Sequence, residues 1–294
     1  MASVSLEIEN AKKFSDLTAI TEAADSALLF IHDGNGVKKI TAGDLKKDLK
    51  ELIEGQAAQI EKLTFPGAGA HNGIHRGKNL GTAVTAEQYA AIADGTFDDL
   101  YIGDYWVISG TTWRIAGFDY WWNVGDTACT THHVVVVPDA PLYNARMNST
   151  NTTSGGYTGS AMYTTGLATA KSTISGIFGS HVLSHRKLLV NGVSGSSPSG
   201  WAWFDSTVDL MNEVMVYGSV AWGAHDGNGY NVAEGDGQLP LFSLNHNLIH
   251  NRANWWLRDV VSASNFAYVN LSGNADINAA SISLGVRPAF AIKG

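Results

Sequence analysis

Hydrophobic and polar positions change their rhythm several times along this chain. Short apolar runs flank "DGNG" (Asp33 to Gly36), whose Gly and Asn tolerate the positive φ of a tight reversal. The pattern therefore predicts a β-hairpin with strands Ala27–His32 and Val37–Ile40. From Asp44 onward Leu45, Leu49, Leu52, Gln56, Gln59 and Leu63 recur at alternating spacings of four and three. That is the seam of a short coiled coil, and equally the buried stripe of one amphipathic helix capped by Thr41 or Asp44. Phe65 to Gly81 reads as a Gly-rich crossing, followed by a helix capped at Thr85, running to Ala93 and ended by Gly95. Strands are then predicted over Tyr101–Ile108, Thr111–Trp122 and His132–Asp139. Val134 to Val137 lack alternation and should be buried on both faces. Ala145 to Gly166 is loop-like, Leu167–Phe178 and Ser206–Tyr217 look helical, and Trp222 to Gln238 forms another long loop. The whole predicts an α+β protein. An N-terminal hairpin and helix lead through a linker and short helix over residues 65–97 to a domain of many short strands, two helices and long loops over residues 98–294.

Composition narrows the function classes. The chain has 294 residues, 45% hydrophobic and only 16% charged, against roughly 25% charged in ordinary soluble proteins. A formal net charge of -8 and a pI near 5.6 give no basic field to draw in phosphate, so a nucleic-acid partner is not expected. Cys129 is the single cysteine, which rules out an intrachain disulfide. No apolar run reaches the roughly 20 residues that span a bilayer, and the first residues lack the basic start and apolar run of a signal peptide. The expectation is a protein made in the cytoplasm without membrane insertion.

Several side-chain groupings could carry chemistry. His132 and His133 are adjacent on a strand and point to opposite faces. His181 with His185, and His246 with His250, have the spacing that brings two imidazoles together on a helix, but the first pair lacks the Glu of a zinc-hydrolase motif. Asp205, Asp209 and Glu213 would share one face of the second predicted helix, where a carboxylate pair could serve glycoside hydrolysis or simply meet solvent. Asp226, Asn228, Glu234 and Asp236 offer oxygen ligands in one loop, without the spacing of an EF-hand. No metal and no cofactor are expected from these patterns.

The final segment is built unevenly. "NWWLRD" (Asn254 to Asp259) reads as a strand with Trp255 and Leu257 on one face, and "GVRPAFAI" (Gly285 to Ile292) as the last strand, with Gly285 as a turn or bulge and Val286 and Phe290 in the core. Between them lie short polar residues with isolated aromatics, a composition suited to an adaptable binding face. The expected ligand-facing positions are Asn254, Ser262, Ser264, Asn265, Phe266, Tyr268, Asn270, Ser272, Asn274, Asp276, Asn278, Ser281 and Ser283.

"WWLRDVVSAS", the spaced polar stretch and "GVRPAF" together resemble the C-terminal end of the C-type-lectin-fold variable proteins of diversity-generating retroelements. "YIGDYWVI", "WRIAGFDYWWNVGDT", "HHVVVVPD", "LYNARMNST" and "FDSTVDLMNEVMVYG" are similar to that family's lectin domain, so the resemblance covers roughly residues 98–294. "FSDLTAITEAADSALLFIHDGNGVKKITAGDLKKDL" resembles virion-attachment modules of phage tail fibres. The resemblance implies a C-type-lectin-like domain with a diversified segment at about residues 251–284, on a bacteriophage tail-fibre or receptor-binding protein of the virion. Its implied partners are a bacterial surface ligand, glycan or protein, and phage tail or baseplate proteins through residues 1–43. It further implies a homotrimer held partly by residues 44–64, and no catalysis. Adenine-directed mutagenesis of Asn codons never yields Lys, Glu, Gln, Met or Trp, and none of these occurs from Leu257 to Ile292. The same fold also appears in formylglycine-generating sulfatase modifiers, which use a pair of cysteines where this chain has Cys129 alone. A fibre-associated surface hydrolase is the other enzymatic alternative.

Overall fold

The expected N-terminal hairpin forms. A computed structural model describes residues 26, 28–32, 36–63, 67–224 and 236–294, and divides the chain into two units, residues 1–65 and 66–294. In the first unit β1 (Leu28–His32) pairs antiparallel with β2 (Val37–Thr41), with His32 opposite Val37. The reversal itself, Asp33 to Asn35, lies outside the described residues. The helix α1 (Ala42–Leu63) follows directly, and Thr41 Oγ1 caps it by accepting the Asp44 N–H at 3.0 Å. Along α1, Lys47 and Lys50 reach Glu51 and Glu54 one turn on. Leu49 and Leu52 are 49% and 57% exposed, so this stripe stays open on the single chain. The side chains of Gln56, Gln59 and Leu63 lie outside the described residues.

The second unit begins earlier than the sequence suggests. Residues 67–97, expected as linker and short helix, are built into it. In α2 (Ala68–Asn72), His71 is buried against Phe97, Tyr101 and Phe118, and the Asn72 amide bonds both the N–H and the carbonyl of Phe118. The expected cap of α3 (Ala86–Ala93) is present as a full capping box between Thr85 and Gln88.

Two five-stranded sheets carry this unit. One has the order β3 (Tyr105–Ile108), β4 (Thr111–Phe118), β5 (His133–Pro138), β14 (Pro288–Lys293) and β9 (Val208–Leu210), all antiparallel. Val134 to Val137 are fully buried in it, as their unbroken apolar run predicts. Trp113 meets Phe178 and Phe290 edge-on, with ring centroids 5.8 and 5.6 Å away. The other sheet has the order β12 (Ala275–Ala279), β11 (Asn265–Val269), β10 (Trp255–Val260), β13 (Ser283–Val286) and β6 (Tyr143–Arg146), in which β10 and β13 run parallel. A separate hairpin joins β7 (His185–Ser194) to β8 (Ser197–Ser206). The helix α4 (Ala168–Phe178) buries Ala170, Ile174 and Phe178 along one stripe and stops at Gly179, whose φ is 57°.

Two expectations about secondary structure are corrected. Ser206–Tyr217 is not one helix: Ser206 ends β8, Val208 and Leu210 pair with Phe290 and Pro288, and only α5 (Glu213–Tyr217) is helical. Asn212 caps α5 by accepting the Met215 N–H at 2.7 Å, which fixes its start. The final strand is also split. Pro288 has no N–H to continue a ladder, and at the break Arg287 turns inward, donating to the Pro138 and Leu248 carbonyls, so β13 and β14 join different sheets. Gly285 is neither turn nor bulge. It sits within β13, where an added Cβ would lie 2.6 Å from Pro141 Cβ and 2.9 Å from the Asn254 carbonyl. The remaining short helix, α6 (Pro240–Leu244), buries Leu241 and Phe242.

Candidate functional site

The frame of the final segment is set by β10, in which every residue from Trp255 to Val260 is buried. Arg287 stacks over Trp255, 4.9 Å from the ring centroid, and the Trp256 indole N–H donates to the Ala145 carbonyl at 3.0 Å. Burial brings the Arg287 guanidinium down to about 10. Arg258 pairs with Asp236 and donates to the Leu210 carbonyl at 3.1 Å. Asp236 also accepts the Trp121 indole N–H at 3.0 Å and the Asn212 amide at 3.2 Å, with Lys187 Nζ 3.7 Å away. Burial alone would raise this carboxyl, but Lys187 and Arg258, with those hydrogen bonds, hold it well below the usual carboxylate range. Asp259 accepts the Glu213 N–H at 2.8 Å. A buried polar network therefore ties the start of the segment to α5 and the sheet behind it.

Beyond β10 the chain turns into an edge hairpin, and here the expected ligand-facing residues divide. Phe266 is fully buried, which corrects its assignment to the exposed face: it pairs with Val260 and Asn278 and belongs to the core. Tyr268 is also buried, with only its hydroxyl engaged at the edge, donating to Asp276 Oδ2 at 3.1 Å. Asn254, Ser262, Ser264, Asn265, Asn270, Asp276, Asn278 and Ser281 are half-buried, and Ser272, Asn274 and Ser283 are exposed. Several of these serve turns. Ser262 Oγ accepts the Ser264 and Asn265 N–H groups, and Asn270 Oδ1 accepts those of Ser272 and Asn274 at 3.0 and 3.1 Å. Ser281 Oγ bonds Asn151 Oδ1, and Asn254 Oδ1 is enclosed without a hydrogen-bond partner. The positions that β12 offers on the sheet's edge are Asp276 and Asn278, continued by Asn274 in the turn.

One residue beside this edge escaped the sequence reading. Trp222 is 50% exposed, yet it is firmly held. Its indole N–H donates to the Ala275 carbonyl on β12 at 3.1 Å. The carboxylate of Glu213, completely buried, accepts the backbone N–H groups of Ala221, Trp222 and Gly223 at 3.0–3.1 Å. Tyr217 adds a bond from its hydroxyl to the Gly273 carbonyl at 2.9 Å, so α5 and its following loop brace both β12 and its turn. The only hint in the sequence is a lone Trp in an otherwise small and polar loop.

The other groupings come apart. Asp205 is 79% exposed and pairs with Arg186, Asp209 is buried with Ser206 and Tyr157, and Glu213 holds the Trp222 loop, so the three carboxylates share no face. His181 and His185 do not lie on one helix. His181 stacks on Tyr89 at 3.6 Å and binds the Lys293 carbonyl, whereas His185 opens β7 and stacks on Trp121 at 4.0 Å. Burial drives the His185 imidazole well below its ordinary value, with Lys187 adding to the effect. His246 falls in a short 3-10 turn and His250 just beyond it, so this pair shares no helix either. His132 and His133 do alternate, one part-exposed and one buried, but both approach the Asp119 carboxylate. Asp226, Asn228 and Glu234 lie outside the described residues, and Asp236 is taken up by its buried partners rather than presented as a calcium ligand. Among the described residues no cluster of three or more His, Cys, Asp or Glu side chains is arranged to hold a metal ion. Among them too, no helix is long and apolar enough to cross a membrane. Cys129 is buried, its thiol 3.8 Å from the Thr131 carbonyl.

Residues 211–294 match the family described as Domain of unknown function (DUF6273). No curated protein and no solved structure matches the chain. The matched stretch takes in Glu213, Trp222, Asp236 and Arg258 together with β10 to β14, while Trp121 and Lys187 of the buried network lie before it.

Proposed function

We propose that this chain is the receptor-binding tip protein of a phage tail fibre, which recognises a bacterial surface ligand through the edge hairpin β11–β12 of a C-type-lectin-like domain, without catalysis. The observation that carries this reading is the division within one segment. Its landmarks Trp255, Trp256, Leu257, Arg258, Val286 and Phe290 are fixed in the interior, while Asn270, Asn274, Asp276, Asn278 and Ser283 reach the surface between them. Such a frame tolerates change at the surface positions, as the resemblance to retroelement-diversified proteins requires. The dispersal of Asp205, Asp209 and Glu213 leaves the surface-hydrolase alternative without its carboxylate pair. Residues 1–43 would attach the protein to the tail or baseplate in the virion. The stripe of α1 through the half-buried Leu45 and the exposed Leu49 and Leu52 suits a homotrimer, whose several copies would add avidity to weak single contacts.

The test is to randomise Asn265, Asn270, Asn274, Asp276 and Asn278 together and to measure melting temperature and capture of bacterial cells. Folded variants that lose or redirect capture support the reading. Folded variants that bind as the parent does place recognition elsewhere. Light scattering on the full chain checks the trimer, and a monomer at micromolar concentration overturns it.

A further inference from the structure

Building on that reading, we infer that Trp222 is a constant aromatic anchor of the ligand-binding face, and that the ligand it takes is an uncharged glycan. Three observations lead there. The first is presentation. Trp222 as a residue is half open to solvent, although its indole N–H is pinned to the Ala275 carbonyl of β12 and its backbone to the buried Glu213 carboxylate. A large side chain held in place before binding loses little freedom on binding, which is what makes Trp effective in recognition. The second is position. Trp222 lies outside the polar segment in sequence, but its indole meets the edge strand between Asn274 and Asp276. It would remain while those neighbours change.

The third is the chemistry beside it. From Ser262 to Ser283 there is no Lys, Arg or His, and the single carboxylate, Asp276, already accepts from the Tyr268 hydroxyl. Arg258 on the same sheet is buried, and the exposed Arg146 lies on β6, the opposite edge. His250, beside the β11–β12 turn, packs its Cβ against Gly273. Among the described residues, β11, β12 and the turn between them carry no Lys, Arg or His that could neutralise a phosphate or carboxylate. Amides, a hydroxyl and one carboxylate can instead donate to and accept from sugar hydroxyls, while the indole face receives the apolar C–H face of a pyranose ring.

The experiment uses the full chain and a bacterial strain that the parent captures. Cells are treated with periodate, which cleaves the vicinal diols of surface glycans, or with a broad protease, then washed before capture. Trp222→Ala should reduce capture by about 10- to 30-fold with an unchanged melting temperature. Trp222→Phe should keep most of it, and Trp222→Leu, with apolar bulk but no ring, should behave as the Ala variant. Trp122→Ala, at an exposed Trp stacked on His132, serves as the control and should bind as the parent does. Periodate should abolish capture and protease should spare it, while added inorganic phosphate or high salt should change it little. Equal capture by the parent and Trp222→Leu overturns the anchor. Protease sensitivity without periodate sensitivity overturns the glycan in favour of a protein ligand, and loss to phosphate or salt shows an anionic one. A parent that captures no strain at all defeats the underlying proposal, and this inference with it.

Discussion

β5 and β12 are both short strands of five-stranded sheets, and they are constructed on opposite terms. β5 lies between β4 and β14, every residue from His133 to Pro138 is buried, and its Val run is hydrogen-bonded on both sides. β12 is an edge strand whose five residues are all half-buried and, apart from Ile277, small or polar. The difference teaches where this protein can change. In β5 a side chain is part of a packed interior, whereas in β12 the ladder to β11 is supplied by backbone, and the side chains, all only partly covered, are left to other uses.

That contrast can be broken by measurement. The largest effects should come from the β5–β14 layer and the frame. Phe290→Ala or Trp255→Ala should each cost about 3–5 kcal/mol by urea unfolding, because both are fully buried aromatics. Asp236→Asn follows at about 3 kcal/mol, since it leaves Arg258 and Lys187 enclosed without their carboxylate. Acid should act on the interior next. Burial depresses His185 and His133, so the unfolded chain binds protons that the folded one refuses. The stability they contribute is whole above the ordinary histidine value and is lost as pH falls below it, by up to about 1.4 kcal/mol per pH unit for each group. His185→Phe should flatten that slope, as melting curves between neutral and mildly acid pH would reveal. Within the hairpin, Asn270→Ala should cost about 1 kcal/mol because its carbonyl closes the turn. Asn274→Ala and Asn278→Ala should stay within about 0.5 kcal/mol of the parent. If Asn278→Ala costs as much as Phe290→Ala, the contrast fails.

What the sequence conveyed follows the same division. Where a pattern was sustained or a cap was explicit, as in α1, the Thr85–Gln88 box, α4 and the Val run of β5, the elements stand where they were expected. β7 and β8 carried no expectation at all, because their paired run is interrupted by Gly192 and Gly200, where the register shifts. Ser206 to Tyr217 carried a helical spacing that sheet pairing of Val208 and Leu210 overrode. Of the candidate face, the landmarks were legible as large apolar residues at strand spacing. The burial of Phe266 was not, since Phe266 to Val269 are covered on both faces of β11, and their mixed composition lacks the unbroken aliphatic run that would announce it. Trp222 and Glu213 were illegible for another reason: their partnership joins a buried carboxylate to a loop backbone, and backbone donors leave no mark in a sequence.

The parallel adjacency of β10 and β13 has a consequence for chain length. Because Trp255 lies beside Gly285, the thirty or so residues between them finish β10, add β11 and β12 on its outer side and return to its inner side. β11 and β12 hang from the outer side of β10 as an excursion whose two ends are already closed. Lengthening its tip at Asn270 to Asn274 by residue pairs would keep the inward and outward alternation of both strands. The entropy of a longer tip rises only with the logarithm of its length, about 0.6 kcal/mol for a doubling. The hairpin is therefore a place where this protein can vary its reach as well as its surface chemistry, with the β10–β13–β6 ladder left unbroken.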